Sequence, residues 1–449
     1  MQLFLRGGFQ GGSSQVEFNF KREPLSPAAP AEAGAAEVAK PRFHKTESRC
    51  IILKMHSLIK NPVTGSTLLI TGCLIGAGIL GLPLVSLSSG FFLSLIPLVV
   101  SWIYMYLSGL MILEIYIEEK KNINLMGLLE KTLGKSAKII GYFLFSFLFY
   151  ALLSAYFNGS SIIIKDALES ILHIDLSQRI VLVFNGLFMF FVLLFGTRTV
   201  DFANRFFVFL MLVSYLTLIV LGAFQVRSEN IFVSSNQKHL VLFSFPVFIV
   251  SFGYQNLIPT ISHYLNYDVK KIKSVIFKGS GLALVIYLLW NFIILGMIPK
   301  STATLDESSK VFITRLFDYS SHFIMFVINS FSFFAIITSL LAVGLSFVNF
   351  ISDKSENYKN RFFFTACVII PPLIFALLDP NIFLLALHIA GGIVTICLFG
   401  LLPVMMLWKT RYVLKRKCQR IFPFGKIVVG VYVLLSFGII AIEIINLIS

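Results

Sequence analysis

Few side chains in this 449-residue chain are equipped for chemistry, and those few stand apart. Glu114 follows 48 residues, Ser66 to Leu113, that contain no Asp, Glu, Lys or Arg. His388 and Glu443 lie in similarly apolar stretches, and Arg198, Asp201 and Arg205 crowd one short turn. Enzymatic chemistry needs acids, bases or nucleophiles that can converge. The sequence has no H-E-x-x-H, no paired-Asp motif and no C-x-x-C among Cys50, Cys73, Cys367, Cys397 and Cys418, so neither a zinc site nor a disulfide framework is expected. No enzyme, cofactor or metal is called for. Gly76-Ala77-Gly78-Ile79-Leu80-Gly81 spells G-x-G-x-x-G, but it lies inside the charge-free run, and that fingerprint has meaning only after a strand in a βαβ unit. Tight helix packing through Gly72-x-x-x-Gly76 is the plain alternative.

The ionisable groups each carry two readings. Ionisable residues inside a bilayer are rare and often functional, so Glu114 is either a carrier of a coupling proton or an interfacial carboxylate near the cytoplasmic end. His388, whose free side chain titrates near neutrality, either moves a proton or packs as a neutral histidine between helices. Glu443 reads as interfacial near the outer end. Arg198, Asp201 and Arg205 form either an inner gate whose ion pairs open during transport or a static loop clasp.

The elements that must position these groups are membrane spans. Hydrophobic residues make up 57% of the chain and charged residues 13%, about half the charged share of a soluble domain. A span needs about 20 apolar residues, which places helices near 66–86, 90–117, 138–160, 180–197, 205–226, 240–263, 280–298, 323–350, 361–378, 380–404 and 424–447. The fold class is therefore all-α and polytopic, with eleven spans. Thirty of the 37 Lys/Arg fall in the tail and in alternate loops, and seven in the opposite loops. Basic loops stay cytoplasmic, which puts the N-terminus inside and the C-terminus outside. The net charge of +15 then faces the anionic leaflet of the lipid bilayer, and no nucleic-acid partner is needed. Residues 1–60 are polar with a Pro/Ala-rich stretch and are expected to form a disordered cytoplasmic tail with no cleaved signal; a start at Met55 is an alternative. Residues 61–449 are the transmembrane domain.

Two spans do not read as ordinary helices. Gly72-Cys-Leu-Ile-Gly76-Ala77-Gly78-Ile79-Leu-Gly81-Leu-Pro83 and Pro246-Val-Phe-Ile-Val-Ser251-Phe252-Gly253-Tyr-Gln-Asn256-Leu-Ile-Pro259 each combine mid-span glycine with proline. Proline removes a helix hydrogen bond, glycine lowers the cost of unwinding, and freed backbone groups are tolerated only where protein or a water-filled cavity receives them. The breaks fall in spans 1 and 6, each opening a block of five (about 66–226 and 240–404), and five is odd. The blocks are inverted, and matched broken helices point to a transporter site at the membrane midplane. Half-helix N-termini offer N–H groups to a carboxylate, and unwound carbonyls can receive an ammonium or a cation. An amino-acid zwitterion suits both. A channel would need a filter or charged rings, which the sequence lacks.

Several segments together carry a resemblance: Gly76-Ala77-Gly78-Ile79-Leu-Gly-Leu-Pro83 with Gly90-Phe91, Tyr150-Ala-Leu-Leu-Ser-Ala-Tyr156, Phe195-Gly-Thr-Arg198 with Asp201 and Asn204-Arg205, Pro246 to Pro259, and Phe331-Ser332-Phe333-Phe-Ala-Ile-Ile-Thr338-Ser339. From about residue 62 onward the chain resembles the hydroxy/aromatic amino acid permeases (tyrosine and tryptophan permeases) of the amino acid–polyamine–organocation superfamily. The resemblance implies a leucine-transporter-like 5+5 inverted repeat plus one C-terminal helix. It further implies uptake of an aromatic amino acid across the cytoplasmic (inner) membrane by H⁺ symport, with Na⁺ coupling or a hydroxy-amino-acid substrate as the alternative. By position it maps the substrate-backbone site to Gly76, Ala77, Gly78 and Ile79 and to Ser251, Phe252 and Gly253. Tyr254-Gln255-Asn256 departs from the pattern, where a His or smaller polar residue is expected. In the fold so implied, Tyr150, Tyr156 and Phe333 flank the site and could stack on an aromatic substrate. Ser332, Thr338 and Ser339 offer hydroxyls to substrate or Na⁺, or bond back to their own helix.

Overall fold

A computed structural model describes residues 61–76, 78–87, 89–119, 123–232, 238–297, 322–351, 360–378, 382–416 and 419–448. The expected tail, 1–60, lies outside the described residues, as does Ala77. Among the described residues every regular element is helical.

Span 1 is the pair α1 (Pro62–Leu74) and α2 (Gly78–Leu87), bent by 53°. Gly90, at φ +80°, turns the chain into α3 (Phe91–Glu119), which is span 2. A short α4 (Leu125–Leu133) precedes α5 (Lys135–Leu172), span 3, and α6 (Gln178–Leu194) and α7 (Thr197–Ala223) are spans 4 and 5. After the four-residue α8 (Ser228–Ile231) and a tight turn at 238–244, span 6 comprises α9 (Phe245–Ser251) and α10 (Ile258–Tyr264). Spans 7, 8 and 9 are α11 (Val269–Met297), α12 (His322–Ile351) and α13 (Arg361–Leu378). Span 10 starts as α14 (Ile382–Ile389), winds in the wider i→i+5 register over Ala390–Leu401 and closes as α15 (Leu402–Trp408); α16 (Lys426–Ile448) is span 11.

Among the described residues nine helices are long and apolar enough to cross a membrane, ten with the bent pair, and Gln178–Leu194 is a shorter apolar helix. Every expected span thus has a counterpart. Several extend beyond the expected bounds: α7 starts at Thr197 and α11 at Val269, where spans near 205 and 280 are expected. Span 3 begins at Lys135 and runs to Leu172; Lys138 pairs with Glu130 of α4, and Lys165 with Glu169 one turn on in its own helix. Span 10 continues to Val413.

Hydrocarbon provides no hydrophobic drive for helices to associate, so close packing must do it. A β-carbon on Gly279 of α11 would lie 2.7 Å from Ile70 Cβ of α1, and Thr71 Oγ1 donates to the Gly279 carbonyl at 2.9 Å. The outer faces stay apolar: Phe184, Leu187, Phe188 and Phe191 of α6 are 66%, 50%, 53% and 46% exposed, a belt suited to lipid rather than water. Fully buried large side chains concentrate around the breaks, among them Ile79, Phe248, Phe252, Tyr254 and Tyr287.

Candidate functional site

The two breaks meet. A β-carbon on Gly78, at the start of α2, would lie 2.7 Å from Ser251 Oγ and 3.2 Å from Ser251 Cα, at the end of α9. A β-carbon on Gly76 would collide with Ser339 Oγ of α12. Gly76, Gly78, Ser251 and Ser339, singled out on two broken spans and span 8, therefore share one place.

Unwinding leaves backbone groups to satisfy. In span 1, Gly76 N–H donates to the Leu74 carbonyl at 2.8 Å and Ile79 N–H to the Gly76 carbonyl at 3.0 Å. In span 6, Phe252 and Gly253 N–H donate to the Ile249 and Val250 carbonyls, both at 3.1 Å. The Leu74 carbonyl, which already accepts from Gly76 N–H, and the Ser251 carbonyl converge on one hydroxyl: Tyr287 Oη of α11 lies 2.5 Å from the first and 2.7 Å from the second. A phenol has one proton to give, so one carbonyl at a time is served. The second remains an acceptor for an ammonium group or a cation.

The residues after Gly253 cap the other side. Gln255 is fully buried; its Oε1 accepts from Tyr254 N–H at 2.9 Å and its Nε2 donates to the Met105 carbonyl of α3 at 3.1 Å. Tyr254 packs against Gly109 of α3. The departure at Tyr254-Gln255 from the family pattern is thus a brace from span 2 to unwound backbone.

Around this centre lie aromatic groups. Phe252 meets Tyr287 edge-on at 5.1 Å, and Trp290 and Phe331 rings are 4.7 Å apart. Tyr156 of α5 is buried. Tyr150 is turned elsewhere: its hydroxyl donates to the Cys367 carbonyl of α13 at 2.9 Å and its ring meets Phe347. Phe333 meets Phe334, which stacks on Phe207 of α7. Ser332 is buried, and Thr338 Oγ1 bonds back to the Phe334 and Ala335 carbonyls of its own helix at 2.8 and 3.0 Å.

The ionisable residues resolve into clamps. Glu114 is 2% exposed. Arg411 Nε and Nη2 donate to its two carboxylate oxygens at 2.5 and 2.6 Å, and Ile421 and Phe422 N–H add bonds of 2.8 and 2.9 Å. Glu443 is likewise fully buried, and its Oε2 lies 3.3 Å from His388 Nδ1. Burial of α16 against span 10 accounts for this. Of the proposed gate, Arg205 is exposed, and the side chains of Arg198 and Asp201 lie outside the described residues. The turn before them is held by Arg361, whose Nε and Nη2 donate to the Leu193 carbonyl at 3.2 and 2.9 Å beside Gly196 at φ +103°.

Tyr287, at the junction of the breaks, is a residue that sequence reasoning did not single out, and on the same helix Asn291 Nδ2 donates to Ser86 Oγ of α2 at 3.2 Å. A signal existed: Asn291 is a lone amide in the apolar stretch of α11, and Tyr287 stands four residues before it, on the same face.

Comparison with known proteins agrees with this architecture. Residues 59–444 match the model of the tryptophan/tyrosine permease family. Tyrosine-specific transport system 1 of Haemophilus influenzae is 32% identical over 78% of this chain and 89% of its own length. The tryptophan-specific transport protein of the same organism is 28% identical over 85% and 95%, and glutamine transporter 2 of Aliivibrio fischeri is 26% identical over 76% and 87%. Among solved structures, MhsT in complex with L-phenylalanine superposes with a TM-score of 0.60 at 13% identity, covering 84% of this chain and 98% of that one. Mhp1, a nucleobase-cation-symport-1 family transporter with bromovinylhydantoin bound, gives 0.54 at 12% identity over 85% and 89%. The fold is that of the leucine-transporter type, as the broken spans imply.

Proposed function

The chain belongs to the tryptophan/tyrosine permease family, and from that premise we propose that it imports an aromatic amino acid, tyrosine or tryptophan, across the cytoplasmic membrane by proton symport. It is a membrane transporter and not an enzyme, as its named relatives are. The observation that carries the substrate reading is the junction of the breaks, where the Leu74 and Ser251 carbonyls share the Tyr287 hydroxyl beside the N-terminus of α2. A zwitterion would give its carboxylate to the N–H groups that open α2 and its ammonium to the carbonyl that Tyr287 leaves unserved. Phe252, Tyr156, Trp290 and Phe331 supply apolar and ring surface for an aromatic side chain. Transport alternates access to this point by movement of the broken spans against the rest, with the basic loops on the cytoplasmic side.

The test is uptake of labelled tyrosine, tryptophan and glutamine by proteoliposomes with pH and Na⁺ gradients imposed separately. Saturable accumulation of an aromatic amino acid driven by an inward proton gradient without Na⁺ is expected. Strict Na⁺ dependence would replace the coupling ion, preference for glutamine would replace the substrate, and non-saturating flux would indicate a channel.

A further inference from the structure

The His388–Glu443 pair has no part in holding the breaks, yet it sits one step from them. Glu443 of α16 is fully buried, with Oε2 3.3 Å from His388 Nδ1 and, among the described residues, no hydrogen-bond partner for Oε1. Its side chain lies on the backbone of span 10: a β-carbon on Gly392 would be 2.8 Å from Glu443 Cδ. The adjacent Gly391 faces the opposite way, against Pro246 of α9, with the site of a β-carbon 3.2 Å from Pro246 Cα and overlapping its carbonyl. Pro246 is five residues, about 7.5 Å of helix, before Ser251 at the break. The i→i+5 winding of Ala390–Leu401 begins two residues after His388, and such winding recurs at functional sites.

Resting on the reading of this chain as a proton symporter, we propose that His388 and Glu443 form the proton-binding site, read out at the break in span 6 through Gly391 and Pro246. With neutral His388 donating from Nδ1, the pair carries one negative charge inside the membrane, where an incompletely paired carboxylate is costly. One proton taken from the outer aqueous phase makes the pair neutral, whichever of the two holds it; the same proton leaves to the cytoplasm after the substrate. A zwitterion adds no net charge, so each cycle moves one positive charge inward. Loss of the charge relaxes the His388–Glu443 contact, shifts α16 against Gly392 and so reseats α9 on Gly391.

Other ionisable groups on neighbouring elements are already engaged or distant in sequence from the pair. α2, α9 and α15 carry none, and the 390–401 stretch carries only Cys397. On α16 the others are Lys426, at the far end over Tyr412, and Tyr432, stacked on Tyr104. α5 brings Tyr142, Tyr150 and Tyr156; of its charged residues, Lys138 and Lys165 are ion-paired with Glu130 and with Glu169 and Asp175, Lys135 opens the helix and Asp166 follows Lys165. On α3, Glu114 and Glu119 are bound to Arg411 and Arg416, and Glu118 follows at the same end. The 238–244 turn opens with Lys238 and His239.

The experiment compares wild type, Glu443→Gln, Glu443→Asp and His388→Gln in proteoliposomes by three readouts: exchange of labelled tyrosine across the membrane, accumulation driven by an inward pH gradient, and proton entry accompanying tyrosine. E443Q is expected to lose accumulation at least tenfold more than exchange and to lose proton entry, with E443D restoring part of both. H388Q is expected to shift the pH of half-maximal accumulation. E443Q accumulating tyrosine as wild type does overturns the proposal, and so does equal loss of exchange and accumulation in E443Q and H388Q, which marks a structural pair. Wild type that shows no proton-driven accumulation sinks the symport reading itself, a result distinct from either.

Discussion

Gly78 and Ser251 approach so closely that a β-carbon on the glycine would stand 2.7 Å from the serine hydroxyl oxygen. They come from different broken spans, α2 and α9, and their contact is what makes two irregular segments one site. The approach is at backbone range, since Ser251 Cα is only 3.2 Å from that β-carbon position. Space here is therefore set by main chain, which yields less readily than a flexible side chain.

Gly78→Leu should abolish uptake while the protein still inserts in the membrane, because the side chain fills the junction. Gly78→Ala should reduce uptake, and adding Ser251→Ala should recover part of it by removing the hydroxyl that the new methyl meets. Transport rates normalised to membrane-inserted protein check both, and independent effects in the double variant would contradict the contact.

Tyr287→Phe removes the one hydroxyl that serves the Leu74 and Ser251 carbonyls. Leaving a buried acceptor unserved costs about 1–3 kcal/mol, so thermal unfolding in detergent should shift down by several degrees. Affinity for the amino acid should change as well, read as the concentration for half-maximal uptake, because the hydroxyl competes with the ammonium for the same carbonyls.

Glu114→Gln should destabilise the protein strongly without altering its proton coupling. Four hydrogen bonds from Arg411, Ile421 and Phe422 converge on the carboxylate, and breaking one partner of a buried pair costs roughly 3–5 kcal/mol. A detergent melt of E114Q and of the double variant E114L/R411L, the latter recovering much of the loss, checks the first part. An unchanged pH profile of the folded fraction checks the second.

Gly391→Ala should damage transport more than Gly281→Ala or Gly438→Ala. A methyl on Gly391 would overlap the Pro246 carbonyl, whereas nothing lies within 4 Å of a methyl at Gly281 or Gly438. The two controls lie in helices and should keep or slightly raise stability, since alanine is favoured over glycine there by about 1 kcal/mol. Uptake and melting temperature of the three variants decide the matter.

Much of the architecture was legible because the properties involved are local. Hydropathy over 20 residues marks each span, and proline beside glycine marks where Ile75-Gly76 and Phe252-Gly253 cannot hold a regular ladder. The ends of α5 and of span 10 were less legible. Lys138 and Lys165 read as loop charges in a hydropathy window but stand within α5, ion-paired to Glu130 and Glu169. The burial of Glu443 was not legible either: it stands five residues from the end of its helix, and the packing of α16 on Gly392 covers it.

Taken alone, the sequence determined that this chain lives in a membrane, how many times it crosses and which two crossings are interrupted, since chain solvation and backbone hydrogen bonding depend on neighbouring residues. Only the tertiary structure decided which faces meet. Tyr287 between two carbonyls from different spans, Arg411 on a carboxylate 297 positions away and His388 beside Glu443, 55 positions on, are pairings of that kind. Helical periodicity tells which residues share a face but not which face of another helix will cover it, and in lipid that choice rests on close packing and on finding partners for buried polar groups.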